Sequence, residues 1–344
     1  MALMVLVNDP GNGHFVYAPL EHSEWNGWTP TDVVFPSFLW IVGVAMTLAL
    51  GRRMAAGMGR SELFGRALRR AAVLYCLGLL VYLFPYFDFS AMRVMGVLQR
   101  IAICYLAATA IFLTTGIRGQ AAWIMGLLSA YWLIMKFAPV PGYGAGHLDV
   151  ERNFAHYADR IVLGAHNYAP TKTWDPEGIV STLPAIATVL FGVLAGRILA
   201  LKRSLSSRAI GLAAAGLVLL AAGLVCEQWL PINKKLWTSS FALFMAGLDF
   251  VLFAGFLWIA DGLGYKPAFR PLVILGMNAI TVYMVSEMLD SAIRALNWRM
   301  PIYRKVFAPL ASPWNASLLY AAAYTLLMFG VAYALHRRGW FLRV

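Results

Sequence analysis

The sequence predicts an all-α fold, a polytopic bundle of transmembrane helices with about ten spans, the first of them truncated. Of the 344 residues, 60% are hydrophobic and 13% are charged, whereas soluble domains average about 45–50% apolar and about 25% charged residues. Apolar stretches of about 20 residues, the length that crosses a bilayer, recur along the chain. Basic residues lie mainly in the short segments between these stretches. Lipid is therefore the solvent that this composition fits.

Nine apolar stretches have the length of a span, and a shorter apolar run precedes them. The run at 1–8 is too short to cross a bilayer, so we expect it to be the distal end of a helix whose first half is missing. A transmembrane β-barrel would show alternating segments of roughly ten residues, and the sequence contains none. We expect a single transmembrane domain over 1–344. Its predicted spans are 31–50, 71–87, 94–115, 120–138, 181–201, 209–229, 238–260, 271–293 and 314–335.

The connecting segments differ in charge between the two sides of the predicted bundle. The segment 51–70 is dense in arginine, and every second connection after it is basic and short, which places these segments and the C-terminus in the cytoplasm. The opposite face receives 9–30, 88–93, the long loop 139–180, 230–237 and 294–313. The basic residues of the cytoplasmic side are Arg52, Arg53, Arg60, Arg66, Arg69, Arg70, Arg118, Arg197, Lys202, Arg203, Arg208, Lys266, Arg270, Arg337, Arg338 and Arg343.

The formal charge of +12 follows from these loops and sets membrane orientation, so we expect membrane lipids and no nucleic acid as partners. The three cysteines lie inside or beside apolar spans without metal-ligand spacing, which argues against a disulfide framework or a zinc site. Gly192 and Gly196 form a small-xxx-small pair that favours close helix contact. This pair is compatible with a homodimer.

The segment 8–36 is a turn-rich loop that leads into the first complete span. Thr29 followed by Pro30 indicates an N-cap and a first helical position. Asp32 would then lie in the first turn, where the positive end of the helix favours an anion. The alternative is that Asp32 is simply a helix-start residue.

His22 is the strongest candidate for a reactive group in this loop. Imidazole exchanges a proton near neutral pH. Acetyl transfer to an amine requires a group that accepts the proton of the amine. A histidine can act as this general base, or it can carry the acetyl group as an acetylated intermediate. The alternative is an ordinary surface histidine.

The long loop contributes three more histidines. His and carboxylate side chains are good metal ligands, but their spacing here matches no compact ligand motif. We therefore expect no metal, and we expect these histidines to be solvated. They are His147, His156 and His166.

Polar side chains inside the predicted spans should face the bundle interior, because exposure to hydrocarbon is costly. Each is a candidate for a functional site or for a structural hydrogen bond between helices. Arg100 would neutralise a phosphate or pair with a carboxylate. The polar residues are Gln99, Arg100, Asp249, Asn278, Glu287 and Asp290.

Six segments, in order along nearly the whole chain, together resemble the heparan-alpha-glucosaminide N-acetyltransferase family of transmembrane acyltransferases, including its bacterial members. The segment EHSEWNGWTPTDVVFP is the most specific of them. The chain departs from the family at the amino terminus, where the basic-ended first helix and the luminal domain of the animal members are not matched. The six segments are LMVLVNDPGNG at 3–13, LEHSEWNGWTPTDVVFPSFLWIVG at 20–43, GVLQRIAICY at 96–105, WDPEGIVSTLPAI at 174–186, PINKKLW at 231–237 and LGMNAITVY at 275–283.

The resemblance implies transfer of acetyl from cytosolic acetyl-CoA, the co-substrate, to the amino group of a terminal glucosamine across a bacterial inner membrane. His22 matches the catalytic histidine of the family, and Asn8 and Asp32 fall on its supporting positions. We assign Arg100 to acetyl-CoA binding. The positions implied to line the substrate site are Asp175, Glu177, Asn233, Trp237 and Asn278.

Two other functions fit the same pattern. A sugar transporter would also be polytopic, with polar residues near the midplane and broken helices. An O-acyltransferase for a cell-envelope polysaccharide would share the bundle and the histidine but would use a hydroxyl acceptor.

Overall fold

In a computed structural model the protein is built from α-helices joined by turns and one long segment. The structure describes residues 1–342, and Arg343 lies outside them. Within that range, pairing of extended backbone is limited to two isolated bridges, which confirms the all-α class. The helices are α1 (Ala2–Asn8), α2 (Val34–Ala55), α3 (Arg60–Leu83), α4 (Val97–Thr114), α5 (Ile117–Phe137), α6 (Phe154–Leu163), α7 (Thr182–Ala200), α8 (Leu205–Glu227), α9 (Ser239–Leu257), α10 (Arg270–Met277), α11 (Ala279–Ala295), α12 (Arg299–Ile302) and α13 (Pro313–Arg337).

Several of these helices are long and apolar enough to cross a membrane, as expected of a multi-pass membrane protein. Six segments of the described chain meet this condition, and α10 with α11 would form a seventh. α3 and α5 have 24 and 21 residues and coincide with two more predicted stretches, but their charged and amide side chains make them less apolar. The predicted count of ten spans is therefore not confirmed. The six segments are Pro30–Ala55, Val97–Thr114, Thr182–Ala200, Leu205–Glu227, Ser239–Gly262 and Pro313–Arg337.

The stretch predicted as one span over 271–293 is broken into two helices. α10 ends at Met277 and α11 begins at Ala279, and the two segments are bent by 66°. Asn278 occupies the junction and is buried. Irregular backbone at membrane depth is tolerated where protein surrounds it or where it lines a cavity. The break therefore belongs to the interior of the bundle.

α2 and α7 touch backbone to backbone at the centre of the protein. A methyl group on Gly43 would overlap the backbone of α7, and one on Gly192 would overlap the carbonyl oxygen of Trp40. Gly196 faces Thr47 of α2 at similarly close range. Small residues permit this approach between membrane helices. The glycine pair thus serves a contact within the chain, and the homodimer stays a prediction without its support.

Polar segments gather at one end of the bundle, which we call the site end. Trp25 Nε1 donates to the carbonyl of Leu148 at 3.0 Å, and the Gly27 N–H donates to the carbonyl of Ile232 at 2.7 Å. At the opposite or basic end, α2 finishes with arginines in its last turn and α3 begins with Arg60. The segments of the site end are 8–33, 84–96, 139–181 and 228–238.

Candidate active site

The turn before α2 buries the carboxylate of Asp32. Pro30–Val33 forms a single 3-10 turn capped by Thr29, as the sequence predicts. Asp32 Oδ2 accepts the backbone N–H groups of Ser23 and Thr29, both at 3.0 Å. A capping carboxylate of this kind satisfies backbone donors that the helix itself leaves free. One oxygen of Asp32 is therefore committed to the backbone, and Oδ1 remains for another partner.

That partner is His22. Its Nδ1 lies 2.7 Å from Asp32 Oδ1, and 48% of the histidine side chain is exposed while the carboxylate has no exposed surface. A carboxylate is only an acceptor, so the hydrogen between them belongs to Nδ1. Nε2 then carries a lone pair, and within residues 1–342 no hydrogen bond reaches it. The arrangement presents a basic nitrogen to a substrate at the site end.

Lys234 is a third member of this group that the sequence analysis did not identify. Its Nζ lies 3.0 Å from His22 Nδ1 and 3.4 Å from Asp32 Oδ1. A short bridge between Gly27 and Asn233 brings its segment against the histidine loop. Lys234 lies in the quoted motif PINKKLW, and its position in a polar motif on the face that is poor in basic residues was the available signal.

Asn233 and Trp237, both predicted to line the substrate site, hold the Lys234 segment in place. Asn233 Oδ1 accepts the Leu236 N–H at 2.9 Å, and its Nδ2 donates to Asn26 at 3.2 Å. Trp237 is buried with a backbone φ of 50° and donates from Nε1 to Thr188 at 3.2 Å. Their contact with substrate stays a prediction.

Asp175 and Glu177, predicted to bind the sugar, share one cation of the protein. Arg93 donates to both oxygens of Asp175 at 2.7 and 2.6 Å and also binds Glu177. Such fork-shaped pairing is characteristic of arginine with carboxylates. The guanidinium also lies 4.3 Å from the ring centre of Tyr168. Arg93 was not among the predicted site residues, although an arginine in a short turn on the predicted outer face was a usable signal.

Two charged groups of the site end interact electrostatically. The Arg93 group consists of Arg93, Asp175 and Glu177, and the histidine group consists of His22, Asp32 and Lys234. Burial alone would raise the pKa of Glu177, but Arg93, Arg100 and Lys234 together lower it. Burial lowers the pKa of the Lys234 ammonium, while Asp32 and Glu177 oppose this shift. Lys234 therefore lies within electrostatic range of both carboxylate clusters.

Arg100, predicted to bind acetyl-CoA, is completely buried at the site end. Its guanidinium lies 5.1 Å from the ring centre of Trp237 and donates to the carbonyl of Gly178 at 3.0 Å and to Ser181. Its Nε and Nη1 have no hydrogen-bond partner among the described residues. The structure thus places Arg100 beneath the Lys234 segment, and its role in binding acetyl-CoA stays a prediction.

Asn8 and Asn278 are not hydrogen-bonded to His22, Asp32 or Lys234 in the described part of the chain. Asn8 Nδ2 donates to Glu287 at 3.5 Å, and Asn278 lies at the helix break with both amide atoms unpartnered in the described part of the chain. Their roles at the site stay predictions.

The histidines of the long segment support its fold. His147 Nε2 lies 2.9 Å from the carbonyl of Tyr143, and His166 Nδ1 lies 2.8 Å from that of Met92. His156 is not solvated, contrary to expectation, because it is buried and stacked on Trp174 at 4.0 Å. In residues 1–342 no group of three or more His, Cys, Asp or Glu side chains is arranged to hold a metal.

The basic end contains a cleft of about 370 Å³ between the ends of four helices. Two arginines, Arg60 and Arg197, face it, and Arg197 Nε donates to Gln120 at 2.7 Å. The rest of the lining is small or apolar. The cleft is lined by Gly51, Met54, Arg60, Phe112, Leu113, Thr114, Thr115, Gly116 and Arg197.

The sequence of the chain matches a known protein family. Residues 12–223, more than half of the chain, match a model described as "Heparan-alpha-glucosaminide N-acetyltransferase, catalytic". The matched range contains His22, Asp32, Arg93 and Glu177. Lys234 lies beyond it.

Two curated relatives carry the same name. The heparan-alpha-glucosaminide N-acetyltransferase of Mus musculus is 28% identical over 85% of this chain and 52% of the mouse protein. The Homo sapiens protein is 27% identical over 85% of this chain and 51% of its own length. The chain therefore spans about half the length of these relatives. On the match over 12–223, it belongs to the heparan-alpha-glucosaminide N-acetyltransferase catalytic family.

Proposed function

We propose that the chain is a membrane-embedded acetyltransferase that moves acetyl from cytosolic acetyl-CoA to the amino group of glucosamine, or of a sugar containing it, on the periplasmic side. It would reside in a bacterial inner membrane with its C-terminus in the cytoplasm. Membership of the family, the multi-pass fold and the basic loops support this proposal. Acetyl-CoA is a co-substrate, and the reaction uses no metal.

The observation that carries the proposal is the pair of His22 and Asp32 at the site end. The buried carboxylate orients the imidazole and leaves Nε2 free at a half-exposed surface. Orientation of a histidine by a carboxylate is the arrangement that supports acyl transfer in unrelated enzymes.

Nε2 of His22 has two ways to serve acetyl transfer. As a general base it takes the proton of the acceptor nitrogen while that nitrogen attacks the thioester carbonyl carbon. The C–S bond then breaks, and CoA leaves as a thiolate that takes up the proton. As a nucleophile Nε2 attacks the same carbon, and the thiolate leaves. The amine then attacks the acetyl-imidazole, the imidazole leaves, and the proton lost by the amine passes to the thiolate. Asp32 stabilises the positive ring in both routes.

The cleft at the basic end is our proposed entry for acetyl-CoA. Arg60 and Arg197 face it from two different helices, and guanidinium groups suit phosphate recognition. The cleft and the histidine lie at opposite ends of α2, which has 22 residues and a length of roughly 30 Å. The proposal therefore requires a passage along the bundle when acetyl-CoA is bound, with Arg100 and Asn278 as polar groups that would meet the pantetheine arm.

The acceptor sugar would lie between the two charged groups of the site end. Arg93 already compensates Asp175 and Glu177, so we propose that these carboxylates accept hydrogen bonds from sugar hydroxyls and a neutral amine. A neutral amine is also the nucleophilic form. Asn8, whose bond to Glu287 is long at 3.5 Å, would turn to the developing oxyanion.

The test is an acetyl-CoA consumption assay on detergent-purified protein, screened over amino sugars, with product masses measured. We expect an N-acetylated sugar from the unsubstituted protein and none from His22→Ala. His147→Ala removes a partly exposed histidine of the long segment and serves as the matched control, which should retain turnover.

Each other outcome contradicts the proposal in a distinct way. Turnover retained by His22→Ala would remove the assigned histidine. Acetylation of acceptors that lack a free amine, without acetylation of amines, would indicate an O-acyltransferase. Counterflow of labelled amino sugar in proteoliposomes without acetyl-CoA would indicate a transporter.

A further inference from the structure

Lys234 occupies a position at the proposed active site that the reaction outlined above does not use. Its ammonium contacts the two atoms that form the hydrogen bond between the imidazole and the carboxylate. The side chain is 17% exposed, so it is held within the protein and does not extend into solvent.

We propose that Lys234 is a positioning residue that keeps the imidazole of His22 neutral, with its single proton on Nδ1. It does so by placing a cation against the carboxylate oxygen that the imidazole also binds. The consequence for acetyl transfer rests on the proposed function, whereas the protonation state of the ring does not.

While Asp32 is ionised, the geometry requires a hydrogen on Nδ1 of His22. If Lys234 donated to Nδ1, the bare Nδ1 would lie 2.7 Å from a carboxylate oxygen that has no hydrogen to offer. With the proton on Nδ1, the imidazole donates to Oδ1, and the ammonium donates to the same oxygen from 3.4 Å. Both donors then converge on one acceptor, and a neutral ring in this position has its lone pair on Nε2.

The contacts of the ammonium are with Nδ1 of the ring and with Oδ1 of Asp32. Within residues 1–342 it makes no hydrogen bond to Nε2, the atom that would meet the thioester. Its effect passes through the ring and through Asp32. Lys234, like Asp32, therefore positions His22.

The charges around the ring come from three segments. The histidine loop contributes Glu21 and Glu24, the turn before α2 contributes Asp32, and the facing segment contributes Lys234 and Lys235. Lys235 is directed away, since its Nζ donates to the carbonyl of Glu24 and lies 6.0 Å from the ring centre of Trp25. Glu177 interacts electrostatically with Lys234. Lys234 is thus the one cation in contact with His22 among the described residues.

An unopposed Asp32 would favour the imidazolium, which has no lone pair for catalysis. A cation at 3.0 Å from Nδ1 disfavours that form. The carboxylate and the ammonium together therefore orient the ring without charging it.

The test measures the ring directly. Diethyl pyrocarbonate modifies neutral imidazole, so the rate of modification at residue 22, followed by peptide mass spectrometry across pH 5–8, gives the pH of half-maximal reactivity. In Lys234→Met this midpoint should rise by about one pH unit, the lower end of the effect of a neighbouring charge because the ring is half exposed. Lys234→Arg should restore it.

Lys235→Met removes the adjacent cation and should leave the midpoint unchanged. Asp32→Asn should lower the midpoint. Lys234→Gln makes the same comparison if the methionine variant does not fold. An unchanged midpoint in both Lys234→Met and Lys234→Gln would overturn the inference. A shifted midpoint in a protein that acetylates no amino sugar would overturn the proposed function and leave this inference standing.

Discussion

Asp32 and His22, ten residues apart in the chain, meet through Oδ1 and Nδ1 at 2.7 Å, with the carboxylate completely buried and the imidazole half exposed. The other carboxylate oxygen is held by the backbone N–H groups of Ser23 and Thr29. The turn that starts α2 therefore also sets the orientation of the proposed catalytic ring. We therefore expect a substitution of Asp32 to affect His22 more than it affects the rest of the bundle.

Asp32→Asn should lower kcat by roughly 10²–10⁴. The amide can donate from its NH₂ group to Nδ1 of His22. The ring proton is then on Nε2, which no longer has the lone pair that catalysis needs. The measurement is the steady-state rate of acetyl-CoA consumption with saturating acceptor. Asp149→Asn, which alters an exposed carboxylate paired with Arg152, is the matched control and should retain the rate. A kcat for Asp32→Asn within threefold of the unsubstituted protein would show that the carboxylate does not orient the ring.

Arg93→Met should lower the free energy of unfolding by about 3–5 kcal/mol. The substitution leaves Asp175 and Glu177 buried without the cation that binds both of them. The measurement is thermal unfolding in detergent. Arg152→Met removes a partner from an exposed pair, and exposed pairs contribute about 0–1 kcal/mol.

Arg93→Lys should fall between these two variants, because a lysine replaces the charge but not the two-pronged bond to Asp175. If Arg93→Met and Arg152→Met were equally stable, the carboxylates would not depend on Arg93.

The double substitution Arg60→Met with Arg197→Met should raise KM for acetyl-CoA about tenfold or more and change kcat little. Both guanidinium groups face the cleft at the basic end, at the far end of α2 from His22, so they would contribute binding that is equal in ground and transition states. The measurement is a substrate titration with the acceptor held constant. Arg53→Met, at an exposed position of the same end outside the cleft lining, should leave KM unchanged. A loss confined to kcat would remove the cleft as the entry for acetyl-CoA.

The fold was predictable where hydropathy alone decides it. Each of the nine apolar stretches coincides with helical structure, since a span needs about 20 apolar residues and little else. The break at Asn278 was not predictable, because an asparagine within an apolar stretch is equally compatible with a hydrogen bond between helices. The role of Gly192 was also open, because its partner in α2 is distant in sequence.

In the site, local contacts were predictable and distant ones were not. His22 and Asp32 lie in one short motif. The Thr29 cap and the nearby carboxylate of Asp32 could therefore be predicted from local sequence. Lys234 is 212 residues from His22, and Arg93 is 82 residues from Asp175. Such pairs form when loops pack together at the site end. A single sequence does not show which distant loops pack against each other.

The burial of His156 makes the folded protein sensitive to acid. Burial lowers the pKa of His156 from 6.5 to about 4. Between these values the unfolded chain binds a proton that the folded protein does not, so this contribution to stability is complete above pH 6.5 and is lost as the pH falls toward 4. The difference corresponds to about 3 kcal/mol. His156→Phe should keep the stacking on Trp174 and reduce the fall in the unfolding temperature between pH 7 and pH 4.5.

Asp159, one turn further along α6, provides the opposite case. Burial raises its pKa from 3.8 to about 6 against the backbone N–H groups of Ile179 and Asp175. The folded protein therefore binds this proton more tightly, and the contribution of Asp159 to stability rises as the pH falls from 6 toward 3.8. Asp159→Asn should steepen the loss of stability in acid that His156→Phe reduces. His147→Phe, at a partly exposed position, should leave this dependence on pH unchanged. If His156→Phe and His147→Phe had the same dependence on pH, the proton uptake that drives acid unfolding would lie elsewhere in the chain.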